Sequence, residues 1–244
     1  MGKYLSKYQI IEDYNNNKDT HNVPHVSLIV NPITQILFIP KPKSYINEYF
    51  TIVALEDGLT AKLSTNACEY RIDNGSWNTL SAGSNTASIN KGQTLSFKGN
   101  LTANSSSGIG TFTINKSFNV EGNIMSLLFG DDFIGQNDLS GKNYAFYKLF
   151  YGRKTLLDAS NLILPATTLA EGCYEQMFRN CTGLTSAPEL PATVLVESCY
   201  DYMFNGCTGL TSAPELPATT LARYCYNGMF QGCTGLISVS ELPG

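Results

Sequence analysis

The residues of this chain best able to do chemistry are its seven cysteines, six of which lie beyond residue 170. They fall into pairs eight residues apart: Cys173 and Cys181, Cys199 and Cys207, Cys225 and Cys233. Three chemistries compete for them: a metal site, disulfides within each pair, or buried free thiols. Zinc calls for ligands two to four residues apart with histidine partners, and the chain offers only His21 and His25, which flank Pro24 and so do not share a helical face. Free cysteine is among the most buried residue types, which favours a structural ladder of thiols over disulfides. Asp131 and Asp132 are adjacent in FGDDF, as in an exposed turn rather than a carboxylate pair or a calcium site. GxSxG, P-loop, HExxH and GxGxxG motifs are absent from the sequence. The expectation is a protein that is not an enzyme and takes no cofactor and no metal.

The cysteine spacing is set by a repeat. LPATTLAEGCYEQMFRNCTGLTSAPE, LPATVLVESCYDYMFNGCTGLTSAPE and LPATTLARYCYNGMFQGCTGLISVSE follow one another from residue 164 to 241 with a period of 26. That period lies within the leucine-rich-repeat range of about 20–29 residues, where each coil holds one strand and one short helical turn. NYAFYKLFYGRKTLLDASNLILPA is a divergent earlier copy, two residues longer and without cysteine, as in a capping coil. Leu184, Ala187 and Leu190 suit one face of an extended segment, and Pro188 limits the parallel sheet. Leu169, Cys173, Met177, Phe178 and Cys181 suit one stripe of a helical turn, which the Gly of Cys-Thr-Gly ends in a left-handed cap.

Cys173, Cys199 and Cys225 then form one column and Cys181, Cys207 and Cys233 another. Positions 170–172, 175–176 and 179–180 vary between copies and are expected to face solvent. Tyr174, Tyr200 and Tyr226, with Tyr202 and Tyr224, form either an aromatic strip for ligand contact or a packed ladder, the ladder being favoured. Thr185, Glu189, Thr211 and Glu215 supply a second strip. Lys142, Lys148, Arg153 and Lys154 read as a solvated edge.

Residues 45–123 alternate polar and apolar residues between turn pairs. Asp57-Gly58, Asn74-Gly75 and Lys91-Gly92 each predict a strand, a turn and a returning strand. Six to eight short strands predict an Ig-like β-sandwich with Trp77 in its core, a sugar-stacking role being the lesser reading. Residues 1–44 hold a polar linker at 15–20 and a hairpin from VSLIV and QILFIP, which needs something else to cover it. The expected class is β-rich α+β, divided into an attachment segment (1–44), a sandwich (45–123), a junction with the capping repeat (124–163) and three repeats (164–244).

Charge narrows the partners. Sixteen basic and 20 acidic residues leave a net charge of −4, and no region is basic enough for a nucleic-acid face. No run of 18 apolar residues predicts membrane insertion, and no signal peptide is visible at the N-terminus.

The stretch LPATTLAEGCYEQMFRNCTGLTSAPELP resembles the BspA-like leucine-rich repeats of anaerobic gut and oral bacteria, with Cys173 in the place of an Ile and Met177 in that of an Ala. The resemblance covers residues 144–244. It implies a surface protein, extracellular or on cells, that recognises or adheres to a cell-surface glycan or protein. GIGTF, FNVEGNIMSLLFGDDF and LSGKNYAFYKLF resemble the domain that commonly precedes these repeats. KYLSKYQIIEDYN with VPHVSLIVNPITQILFIPKP resembles attachment segments of virion and prophage appendages, which implies virion proteins as alternative partners. In the last copy Ile237, Val239 and Ser240 replace Thr, Ala and Pro, raising strand propensity at an open edge. Another chain in a homo-oligomer is expected to cover that edge.

Overall fold

The computed structural model describes residues 45–104 and 107–237, together with two strands, β1 (Val26–Val30) and β2 (Ile36–Pro40). Residues 1–44 and 45–244 are separate units. In the first, β1 and β2 pair antiparallel, Val26 opposite Pro40 and Val30 opposite Ile36, as the β-branched runs on either side of Asn31-Pro32 lead one to expect. The linker at 15–20, His21, His25 and residues 238–244 lie outside the described residues.

The second unit is β-rich. Among its described residues, helix is confined to α1 (Ser126–Phe129) and a 3-10 turn at Gly130–Phe133. Between residues 50 and 123 lie β3 (Phe50–Ala54), β4 (Ala61–Leu63), β5 (Cys68–Ile72), β6 (Asn78–Leu80), β7 (Thr94–Lys98), β8 (Phe112–Ile114) and β9 (Phe118–Asn123). β10 (Leu156–Ile163) follows in the divergent copy. One sheet has the order β10-β9-β3-β7-β5-β6, and β4 pairs with β8 in a second. Alternation puts Phe50, Ile52 and Ala54 inside, and Phe112 of the small sheet meets Phe50 and Phe97 of the large one at 5.4 and 5.1 Å between ring centroids.

The hairpin around Asn74-Gly75 forms, pairing Cys68 with Leu80 and Tyr70 with Asn78. The other two expected hairpins do not. β3 pairs with β7 and β9 while β4 pairs with β8, so Asp57-Gly58 carries the chain from one sheet to the other. Lys91-Gly92 turns the chain into β7, but Ile89 before it only bridges Leu59. Alternation determines which face a residue takes, and partners are chosen by packing. Trp77 lies on the outer face of the large sheet rather than in the core, against Tyr49, Arg71 and Lys98.

β10 lies parallel to β9, Leu156 opposite Phe118, and so joins the divergent copy to the sheet. Buried residues run continuously from there into the repeats. Phe112 meets Phe150 at 6.0 Å, and Phe150, Phe178, Phe204 and Phe230 stack in turn at 5.4, 5.4 and 5.8 Å. Phe146, Tyr174, Tyr200 and Tyr226 form a second stack at 5.5, 5.7 and 5.9 Å.

The helical turn expected in each copy is replaced by a ribbon of turns. Residues 172, 176 and 180 all have positive φ, as do 144, 148 and 152, 198, 202 and 206, and 224, 228 and 232. One residue in four is therefore left-handed, which prevents an α-helix. The N–H groups alternate in destination. Those of Cys173, Glu175, Met177 and Arg179 return three residues back, to Ala170, Gly172, Tyr174 and Gln176. Those of Gly172, Tyr174, Gln176, Phe178 and Asn180 cross to the carbonyls of Glu197, Cys199, Asp201, Met203 and Asn205 in the next copy, at 2.7–3.1 Å. The expected parallel strands are reduced to single bridges, Asp158 to Ser186 and Val194 to Thr220, because Pro188, Pro191, Pro214 and Pro217 remove ladder donors.

The glycine of Cys-Thr-Gly also differs from expectation. Gly183, Gly209 and Gly235 are not left-handed. A Cβ on Gly209 would lie 2.7 Å from the Thr182 carbonyl oxygen, and those on Gly183 and Gly235 would strike the carbonyls of Lys154 and Thr208. These glycines let the preceding copy approach closely.

Candidate recognition surface

All seven cysteines are free and buried. The thiols of Cys181, Cys207 and Cys233 donate to the carbonyls of Phe150, Phe178 and Phe204 at 3.0, 3.1 and 3.0 Å. Each adds a second donor to a carbonyl already bonded within its own coil. Burial pushes the thiols of Cys68, Cys181 and Cys199 up to about 12, and those of Cys173, Cys207 and Cys233 upward as well. Nucleophilic chemistry needs the thiolate, so these groups act as packing residues and weak donors. Among the described residues no group of His, Cys, Asp and Glu is placed to hold a metal ion.

The five tyrosines separate. Tyr174 and Tyr200 are 1% exposed and belong to the stacked ladder, so burial removes them from any contact surface. Tyr226, last in that ladder, is half-buried, as is Tyr202, and Tyr224 is 48% exposed. Tyr202 and Tyr224 both occupy left-handed positions of the ribbon. Among the variable positions, Glu171, Glu197, Arg223 and Asn227 are exposed and most others half-buried, but Ala170 and Gly172 are buried.

The left-handed positions form columns across the copies: Tyr144, Gly172, Ser198 and Tyr224 in one, and Lys148, Gln176, Tyr202 and Gly228 in the next. Each internal tyrosine is followed by a glycine. A Cβ on Gly172 would lie 2.5 Å from the ring of Tyr144, and one on Gly228 would strike the ring of Tyr202. The ring covers the bare backbone of the following coil.

Charged groups order this strip. The guanidinium of Arg179 lies over Tyr202 at 5.0 Å, and that of Arg223 over Tyr224 at 4.6 Å. Tyr144 donates to Glu171 at 2.7 Å, which, with desolvation, pushes its hydroxyl up to about 12. Asn227 donates to Asp201 at 2.9 Å, and desolvation raises the carboxyls of Asp201 and Glu175. On the opposite strip Thr185, Glu189, Thr211 and Glu215 are exposed, but Thr185 and Thr211 spend their hydroxyls on Leu157 and Thr185 of the preceding copy. At the first copy, Lys142 lies over Phe129 and Lys148 over Tyr147.

No protein-family model, curated protein or solved structure matches this chain.

A second polar cluster lies on the outer face of the large sheet. Lys98 donates to both carboxylate oxygens of Asp131 at 3.0 and 2.8 Å, and Tyr49 donates to one of them at 2.7 Å. Those two donors hold the Asp131 carboxyl below the usual carboxylate range, and desolvation first, then Asp131, pushes the Tyr49 hydroxyl up to about 12. The indole of Trp77 has Arg71 at 4.9 Å and Lys98 at 4.6 Å over its ring. Beside it a cavity of about 450 Å³ is lined by Glu69, Lys98, Asn100, Asp131 and Asp132. Nothing in the sequence linked Tyr49, Lys98 and Asp131; sheet pairing and the 3-10 turn bring them together.

Proposed function

We propose that this chain is a non-enzymatic recognition or adhesion protein of the BspA-like leucine-rich-repeat kind. Residues 45–123 are read as a β-sandwich and residues 144–237 as a short solenoid whose turn ribbon binds a glycan or protein on a cell surface. The observation that carries this is the contrast between a repeated interior and a varied ribbon. Cys, Met and Phe recur inside every full copy, whereas the aligned surface positions Lys148, Gln176, Tyr202 and Gly228 all differ. A left-handed tyrosine costs on the order of 1 kcal/mol more than glycine or asparagine there. Tyr202 and Tyr224 bear that cost at the surface, where contact with a ligand gives a reason for it.

Labelled chain incubated with cells tests the proposal, before and after the cells are treated with glycosidases or protease. Saturable binding lost on one treatment supports it and assigns the ligand class; absence of saturable binding to bacterial and epithelial cells refutes it. A second reading, a virion or prophage appendage protein, is favoured by the separate 1–44 unit, since two strands alone are marginal in water and need a partner. Deleting residues 1–44 then abolishes incorporation into particles without changing cell binding.

A further inference from the structure

The variable positions of the ribbon gather charge of one sign. Glu171 and Glu197 hold the same position in the first two full copies, and Glu175 and Asp201 hold the position four residues on. The two coils run side by side there, since the N–H groups of Gly172 and Gln176 meet the carbonyls of Glu197 and Asp201 at 3.1 and 2.8 Å. Four carboxylates therefore stand two by two in adjacent coils, Glu171 and Glu197 exposed and Glu175 and Asp201 half-buried. Tyr144 feels them together, its hydroxyl raised by the bond to Glu171 first and by the charges of Glu175 and Glu197 as well. The Glu175 carboxyl is raised by desolvation first, then by Asp201 and Glu171. Like charges facing one another across neighbouring strands are destabilising.

The ribbon carries cations, but they are placed elsewhere. Lys148 lies over the ring of Tyr147 at 4.6 Å, Arg179 over Tyr202 at 5.0 Å and Arg223 over Tyr224 at 4.6 Å. Arg179 also donates to the Gln176 side chain, and Arg223 to the Tyr224 hydroxyl. Among the described residues none of the four carboxylates pairs with a lysine or arginine; the salt bridges there belong to Lys98 on the large sheet. Their hydrogen bonds come from neutral groups, Tyr144 to Glu171, Gln176 to Glu175 and Asn227 to Asp201, and Glu197 accepts none among the described residues. Nor is the block placed to hold a metal ion.

We propose that the ligand of the ribbon is a protein segment rich in lysine or arginine, whose cations pair with Glu171, Glu175, Glu197 and Asp201. This names the ligand class of the surface proposed above and rests on that reading. Charge complementarity selects the class, because the same block repels acidic glycans and other anionic partners. Long basic side chains also bring apolar stems, which lie against the half-buried ring of Tyr202 and the exposed ring of Tyr224 while their heads reach the carboxylates.

Fluorescence anisotropy of labelled deca-lysine with the full chain tests it. The ribbon variant, with Glu171→Gln, Glu175→Gln, Glu197→Gln and Asp201→Asn, binds at least tenfold more weakly than wild type at about 50 mM salt, and the difference shrinks at about 300 mM. A control of equal net charge, with the exposed Glu48→Gln, Asp132→Asn, Glu189→Gln and Glu215→Gln, loses less than threefold. Glu197→Lys alone, at an exposed position, loses at least threefold. Equal loss in the ribbon variant and the control, or no loss in the ribbon variant and in Glu197→Lys, overturns the proposal. The carbon-13 titration midpoints of the four carboxyls stay in place when Lys3, Lys7, Lys18, Lys41 and Lys43 are changed to Gln. A rise of about half a pH unit or more would show this chain's own lysines on the block and overturn it. On cells, excess deca-lysine competes with saturable binding and deca-glutamate does not. Cell binding that deca-lysine leaves intact, or that glycosidase abolishes and protease does not, overturns the ligand class alone. Absence of cell binding overturns the ribbon reading and this inference with it.

Discussion

Gly209→Ala is the most telling single substitution. The added Cβ would lie 2.7 Å from the Thr182 carbonyl oxygen, about 0.7 Å inside an ordinary 3.4 Å contact, and 3.0 Å from that of Leu184. Both obstacles are backbone, so relief requires the first two full copies to separate. Opening the junction by 0.7 Å stretches the Phe178-to-Met203 bond from 3.0 Å to about 3.7 Å, and the Gln176-to-Asp201 bond from 2.8 Å to about 3.5 Å. Overpacking costs roughly 1–3 kcal/mol and each weakened hydrogen bond about 1 kcal/mol, so a loss of about 3–5 kcal/mol is expected. Gly232→Asn is the control three residues before Gly235, at a left-handed position where Asn180 stands in the first full copy. A Cβ there meets only the backbone of Gly206, at 3.6 Å, so Asn costs less than about 1 kcal/mol. Urea unfolding followed by circular dichroism measures both. A Gly209→Ala change within 0.5 kcal/mol of wild type, or a Gly232→Asn change as large as that of Gly209→Ala, refutes the close-approach argument.

Three further expectations follow from buried and paired groups. Cys173, Cys181, Cys199 and Cys207 are fully buried with raised thiol pKa values, so the unfolded chain releases their protons first as pH rises. Stability is intact below the ordinary thiol value and falls above it by about 1.4 kcal/mol per thiol per pH unit. Cooperative loss of the circular dichroism signal is therefore expected between about pH 9 and 11, and an unchanged signal at pH 11 contradicts free buried thiols. The Tyr174 hydroxyl is buried without a hydrogen-bond partner, and the aligned residue of the first copy is Phe146. Tyr174→Phe should raise stability by about 1 kcal/mol in the same urea assay, and a loss of that size contradicts the unpartnered hydroxyl. For Asp131 the paired carboxylate contributes above the ordinary carboxylate value and is lost as pH falls through its lowered folded value. Its carbon-13 titration midpoint should rise toward the ordinary range in Lys98→Met, and an unmoved midpoint denies the pair.

The repeat, its register and the thiol columns were legible because a 26-residue period places like residues on like residues. The ribbon was not, and the reason is geometric. Cys173, Met177 and Cys181 are spaced by four, which suits a helical stripe on a short stretch. In an α-helix each four-residue step drifts by about 40°, whereas a left-handed residue in every four keeps such residues aligned. Strict spacing by four, with Gly172 and Asn180, then Gly228 and Gly232, at the left-handed points, was the signal available. Strand partners were less legible than strands: FTIVA and AKL look like the two arms of a hairpin, yet they belong to different sheets. Trp77 was misplaced because a lone tryptophan carries no face information, and Tyr49, Arg71 and Lys98 beside it hold it outside. Of the five tyrosines, Tyr174, Tyr200 and Tyr226 belong to the ladder, and the single-copy Tyr202 and Tyr224 stand outside it.

Recognition is proposed to reside on the turn ribbon and not on the sheet face. Affinity of the full chain for the cells identified in the binding assay, measured for wild type, for Arg179→Ala with Tyr202→Ala and for Trp77→Ala, tests this directly. The ribbon variant is expected to lose at least tenfold in affinity with an unchanged thermal midpoint, while Trp77→Ala binds as wild type. Unchanged binding by the ribbon variant, or loss confined to Trp77→Ala, would contradict the claim.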